Sequence, residues 1–228
     1  MNTIRNDRDR ARLNSFLSCA VVLLAVGLPA FAQKAALIDI NLDLDPAATS
    51  IHWTLNTTVH TVHGSFKLKN GSFHIDPVTG DASGQIVIDA NTGESGDSPR
   101  DNRMQSLVLE SPKYPTITFR PTHVVGKVDL ATPGPVTVQG FLNLHGQDHP
   151  MQITVNLHPQ AATVALVAHF AVPYVAWGLK DPSTFIFRTD KEVILDIDAT
   201  GMPAANSSRA TNSVVRTILN PSEVHSAR

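Results

Sequence analysis

The chain has 228 residues, with 18 Lys and Arg against 20 Asp and Glu, a net charge of −2 at neutral pH and a single cysteine. That balance excludes the basic stripe that binding to a nucleic acid backbone needs, and a lone thiol excludes a disulfide framework. With 42% hydrophobic and 17% charged residues, a chain of this length can build a full core.

The N-terminus opens with Arg5, Arg8, Arg10 and Arg12, runs through apolar residues from Phe16 to Leu28, and reaches Ala30-x-Ala32 ahead of Gln33. A basic start, an apolar run short for a bilayer span and small residues at the end predict a secretory signal peptide over residues 1–32. The expected location is periplasmic or secreted. Cys19 lies inside the apolar run and leaves with it. Cleavage after Ala32 also removes four arginines together with Asp7 and Asp9, leaving 14 basic against 18 acidic residues, a net of −4. No nucleic acid partner is expected.

From Leu37 onward every second residue is apolar, as half-buried strands require. Ile38, Ile40, Leu42 and Leu44 begin the pattern, and Ile51, Trp53 and Leu55 repeat it. Phe66 and Leu68, then Phe73 and Ile75, flank Lys69-Asn70-Gly71, which predicts a tight hairpin. Asp76-Pro77-Val78-Thr79-Gly80-Asp81 predicts a loop. Alternation continues through Ile86, Ile88, then Ile117, Phe119, and then Val136, Val138, Gly140, Leu142 and Leu144. It ends with Ile153, Val155, Leu157, then Val164, Leu166, Ala168, Phe170, and finally Val193, Leu195 and Ile197. Connections this short leave no room for crossover helices, so the strands should be antiparallel and pair in chain order.

One segment breaks the period. Ser98-Pro99-Arg100-Asp101 reads as a helix start with Ser as cap, Met104, Leu107 and Val108 recur at helical spacing, and Pro112 ends the run. This predicts one short helix from about Pro99 to about Leu109. After Gly201 the composition turns to Ser, Asn, Ala and Thr, which predicts a disordered tail over 203–228; docking of Val214–Leu219 as a short helix is the alternative. The domain is expected over 33–202.

A sheet with one apolar face must curl round or split into two layers to hide it. Closure also removes exposed edges, and an eight-stranded barrel is just wide enough to fill with side chains or hold one slender guest. Composition alone leaves barrel and sandwich open.

The runs VHTVHGSF (Val59 to Phe66), DPVTGDASGQIVIDANTGESGD (Asp76 to Asp97), RDNRM (Arg100 to Met104) and YPTITF (Tyr114 to Phe119) resemble the YceI-like family of periplasmic polyisoprenoid-binding proteins. VQGFLNLHGQDHP (Val138 to Pro150) and FAVPYVAWGLKDPS (Phe170 to Ser183) continue the resemblance, which spans roughly residues 37–200. It implies an all-β fold: a single antiparallel, lipocalin-like barrel of about eight strands with a helix packed near one end. It implies no catalysis, no cofactor, and an isoprenoid lipid or quinone as the bound partner. Transient membrane contact is a separate expectation for a carrier of such a lipid.

The family carries over no invariant contact, so lining residues are assigned by alternation. Trp53, Phe66, Ile86, Ile88, Phe119, Leu142, Leu144 and Phe170 should line the interior from the strands, and Met104 and Leu107 from the helix. Ordinary core packing is the competing reading for each. Trp177, ahead of Gly178 and Asp181-Pro182, reads either as a mouth residue touching the ligand head group or as a packed turn anchor.

The rival class is a metal-binding protein or metal-dependent hydrolase, motivated by His60 with His63 and by His145 with His149. His60-x-x-His63 on a strand sends its side chains to opposite faces, whereas His145 and His149 flank a turn and could converge. No Gly-x-Ser-x-Gly elbow is present, and Asp39, Asp43, Asp196 and Asp198 read as solvated strand faces. A protein-interaction module is the third class.

Overall fold

The computed structural model describes residues 39–204. The signal peptide expected over 1–32 and residues 205–228 of the expected tail lie outside the described residues.

Alternation becomes nine strands: β1 (Ile40–Leu44), β2 (Ser50–Asn56), β3 (Thr61–Ile75), β4 (Ala82–Glu94), β5 (Thr116–Val125), β6 (Gly134–Leu144), β7 (Gln147–Pro159), β8 (Val164–Val172) and β9 (Val193–Pro203). From β2 to β9 each strand pairs antiparallel with the next, and β9 pairs back with β2, so the wall closes. β1 and β2 share one wall position. β1 takes the far half of β3, from Ser72 to Ile75, while β2 takes the near half, from Thr61 to Phe66. A single 3-10 turn, Pro46–Ala48, jogs the chain between them, capped where Ala47 N–H donates to Asp45 Oδ1 at 2.8 Å. Nine strands therefore fill eight positions of an all-β antiparallel barrel with no free edge, as the resemblance implies.

Apolar side chains of the alternating set point inward. Ile51, Leu68, Ile75, Val124, Val164 and Leu166 pack in one half, and Phe119, Leu142, Leu144, Ile153, Val172 and Leu179 in the other. Each large side chain so buried contributes about 1.5–3 kcal/mol.

The hairpin expected at Lys69-Asn70-Gly71 does not form. β3 runs unbroken through it, with a register shift against β4 between Leu68 and Asn70. A bulge adds one residue to one strand, and here it switches the inward positions from Phe66 and Leu68 to Gly71, Phe73 and Ile75. In sequence that phase change looks like a turn. Gly71 leaves room for Leu44, whose Cδ1 would lie 2.8 Å from a Cβ placed there. The loop expected over 76–81 does join β3 to β4: Val78 N–H donates to Asp76 Oδ1 at 2.7 Å and Gly80 takes φ +80°. Those backbone donors hold the Asp76 carboxyl below its usual range.

The helix lies between β4 and β5. α1 spans Ser98–Arg103, and its cap is Asp97 rather than Ser98, accepting from Arg100 N–H at 2.9 Å. A carboxylate one residue earlier satisfies the orphan donor and suits the positive end of the helix. From Met104 to Val108 the coil widens into a π turn, with Leu109 N–H donating to the Met104 carbonyl at 2.9 Å. Glu110, at φ +46°, then ends it two residues before Pro112.

Candidate functional site

The barrel interior is hollow. A cavity of about 480 Å³ lies beneath α1 and the π turn, and a second of about 160 Å³ lies deeper between the strands. Phe66, Ile117, Leu142 and Leu195 line both, so the two chambers meet at a waist formed by these four side chains.

Most of the candidate ligand-contact residues border this hollow. Trp53, Leu144 and Met104 line the upper chamber, Ile86, Ile88, Phe119 and Phe170 the lower, and Phe66 and Leu142 the waist. Two do not. Leu107 is 43% exposed and borders neither chamber. In a regular helix Met104, Leu107 and Val108 share a face; the wider π turn instead aligns Met104, Val108 and Leu109, and these three line the chamber. Trp177 also lies off the chamber walls, stacked on His149 with ring centroids 4.1 Å apart and planes 3° apart. It is a packed turn anchor.

Two glycines shape the upper chamber. Trp53 sits opposite Gly64 on β3, and a Cβ at Gly64 would come within 2.2 Å of the indole and of the Glu94 carbonyl. The bare backbone lets the ring lie against the wall, where its N–H is buried without a partner among the described residues. At Gly93 a Cβ would lie 2.5 Å from Phe66 Cε1 and 2.8 Å from Met104 Cε. Phe66 and Met104 thus rest on a bare stretch of β4.

The mouth is built from segments with no periodicity to betray them. Residues 173–192 fold across the barrel end, placing Tyr174, Leu179, Thr184, Phe187 and Thr189 on the chamber wall. Tyr174 donates to the Asp190 carbonyl at 2.8 Å, and burial pushes its phenol above the usual value, so it stays a neutral donor. Lys191 and Ser183 hold the Asp181 carboxyl well below the ordinary range and tie the loop's base together.

Arg100 and Arg103 are the only charged residues bordering the upper chamber among the described residues. Arg100 is fixed, donating Nε to Ser95 Oγ at 2.7 Å and Nη2 to the Ser95 carbonyl at 2.9 Å. Arg103 is exposed and makes no side-chain bond among the described residues. The helix end is secured by Glu110, whose carboxylate meets His145 Nε2 at 2.5 Å. His145 sits at φ +55° in the tight turn between β6 and β7.

The histidine pairs do not converge. His145 turns to Glu110 and Tyr114, His149 to Trp177, and His63 Nδ1 to Thr54 Oγ1 at 3.0 Å, while His60 is exposed in the turn before β3. Among the described residues no three His, Cys, Asp or Glu side chains gather as a metal site would require. Asp39 and Asp43 face solvent, and Asp196 meets His169 at 2.6 Å on the outer wall.

Comparison with protein families matches residues 42–201 to the YceI-like domain. Comparison with curated protein sequences finds no match. Among solved structures, BcnA from Burkholderia cenocepacia superposes with a TM-score of 0.57 at 18% identity, covering 69% of this chain and 99% of that one. A polyisoprenoid binding domain from Saccharophagus degradans, implicated in plant cell wall breakdown, gives 0.53 at 19% identity over 71% of this chain and 98% of that one. At these identities the structural likeness speaks to the fold.

Proposed function

Because the chain belongs to the YceI-like family, we propose that its barrel binds a long apolar lipid of the polyisoprenoid or quinone type and carries it through the periplasm without catalysis. The observation that carries this reading is the two-chambered hollow, apolar along its length and of the size that ligand pockets have, roughly 300–1,000 Å³. A filled core would pack its side chains to organic-crystal density and leave no such space. The polyisoprenoid-binding neighbour and the export segment read in residues 1–32 support ligand class and compartment respectively.

The energetics suit a carrier. Each methylene-sized unit that leaves water gains about 0.8 kcal/mol, so an isoprenoid tail has ample drive to leave aqueous solution. A bilayer keeps the same tail equally dry. The protein's preference over membrane is therefore small, which permits both loading and release. Head-group chemistry is left to the mouth, where Arg100 and Arg103 supply charge and Thr57, Tyr174, Thr184 and Thr189 supply hydroxyl groups.

Lipid extraction and mass spectrometry of protein purified from its own compartment test this. The expected result is a co-purifying isoprenoid lipid near one per barrel. Protein that is reproducibly lipid-free, and that takes up no isoprenoid alcohol when offered it, would overturn the reading.

A further inference from the structure

The loop that covers the barrel end carries an apolar tip. Phe185 is 96% exposed, Ile186 75% and Phe187 54%, and Val59, 63% exposed, stands on the neighbouring turn. The tip is a fixed feature: Thr184 N–H donates to the Phe187 carbonyl at 2.7 Å, and Phe187 N–H to Thr184 Oγ1 at 3.1 Å. Two more bonds join it to the Val59 turn, from Thr58 N–H to the Arg188 carbonyl at 2.9 Å and from Arg188 N–H to Thr58 Oγ1 at 3.3 Å. Scattered exposed apolar residues are ordinary, but a held cluster of four marks an interaction surface.

Phe187 and Thr184 also line the upper chamber, so the tip and the cavity share one opening. Arg188 follows the tip directly, and Arg103 borders the same opening. Neither has a side-chain partner among the described residues, and the same is true of Lys180. Nearby carboxylates are mostly engaged: Asp97 caps α1, Asp101 accepts from Ser95, Asp181 holds Lys191, and Asp190 accepts from Asn56. Those hydrogen bonds leave the carboxylates charged, and Glu192 has no side-chain partner among the described residues; the cations that stand closest to the tip and the opening are Arg188, next to Phe187 in the chain, and Arg103 on the chamber wall.

We propose that this tip is a membrane-docking surface: Phe185 and Ile186 insert into the headgroup boundary of an anionic bilayer while Arg188 and Arg103 meet its phosphates. Apolar side chains flanked by cations are what an interfacial anchor presents to such a surface. The inference rests on the lipid-carrier reading in one respect, the use of the contact. With Phe187 on both surfaces, a chain can pass from bilayer to cavity without crossing water. A second copy of the protein fits less well. A twofold contact through the tip would bring like-charged Arg188 side chains together, and four side chains are few beside the roughly 800 Å² per partner of a stable interface.

Phe185→Trp supplies a local probe in the full chain, read with vesicles of phosphatidylcholine and phosphatidylglycerol whose acyl chains carry bromine. Quenching of the added indole is expected, weaker without phosphatidylglycerol and weaker in high salt. Vesicle flotation of Phe185→Ser/Ile186→Ser should show binding weakened roughly tenfold or more, and Arg188→Glu should lose the preference for phosphatidylglycerol. Uptake of geranylgeraniol in vesicle-free buffer should be unchanged in both variants, since none of these residues borders the chamber. Absence of quenching in the Phe185→Trp variant, or a double variant that floats like the parent, overturns the proposal. So does a parent that dimerises through the tip without binding vesicles. Failure of geranylgeraniol uptake with docking intact would sink the carrier reading instead.

Discussion

Gly93 and Gly64 make the same demand, a bare backbone, for different reasons, and the difference separates a hollow from a packed core. A methyl at Gly64 meets the Glu94 carbonyl at 2.2 Å, and a backbone atom cannot step aside. Gly64→Ala should therefore cost the roughly 1–3 kcal/mol typical of overpacking. A methyl at Gly93 meets the outer atoms of Phe66 and Met104, which have the chamber to move into. Gly93→Ala should cost less than Gly64→Ala in urea unfolding, yet weaken binding of an isoprenoid alcohol because the displaced side chains occupy its space. Equal stability losses would mean that the space beside Phe66 is filled. Strand alternation names Phe66 and Trp53 as inward residues, because a period of two is all that facing requires. It is blind to the two glycines, whose importance lies in what stands opposite them across the sheet.

Among the elements, the helix is the clearest case of partial legibility. Its existence follows from Pro99, the acidic first turn and the apolar spacing, but the π turn that replaces Leu107 by Leu109 on the chamber wall leaves no mark in the pattern. Local hydrogen bonding beyond Met104 decides it. Asp97→Ala removes the cap and should cost about 1 kcal/mol, seen as faster amide exchange in α1 with the strands unaffected. The loop over residues 173–192 is less legible still, since its contributions to the wall come from irregular backbone. It should respond to acid. Asp181 is held below its ordinary value by Lys191 first and Ser183 next, so its contribution to loop order is complete above about pH 4 and is lost as the pH falls through the lowered value. Hydrogen exchange across 181–191, corrected for intrinsic rates, should rise on acidification before the strands loosen, and Asp181→Asn should remove that step. Exchange that rises in loop and barrel together would contradict it.

For the whole molecule, closure is the consequence of eight wall positions whose apolar faces have no second layer to cover them. Barrel or sandwich is a choice composition leaves open; the β2–β9 pairing makes it. The same pairing brings Trp53 beside Leu195 and so builds the upper chamber from the two ends of the domain. The waist gives this architecture a length test. Leu142→Phe adds bulk where the chambers meet and should weaken a long isoprenoid that spans both, while a short one confined to the upper chamber binds as before. Titration of the two alcohols against the variant and the parent checks this; equal losses for both would mean that the chambers are not used in series.

The central claim, that an apolar chain lies inside the barrel, meets its most direct test in the two tryptophans of the sequence. Trp53 lines the chamber and Trp177 stacks on His149 away from its walls. A bromine-substituted isoprenoid quenches only indoles it touches. Titrated into protein free of lipid, it should quench emission to a plateau at one equivalent in Trp177→Phe and leave the emission of Trp53→Phe unchanged. Quenching confined to Trp177, or growing without saturation on both, would place the chain on the outer surface and contradict the account.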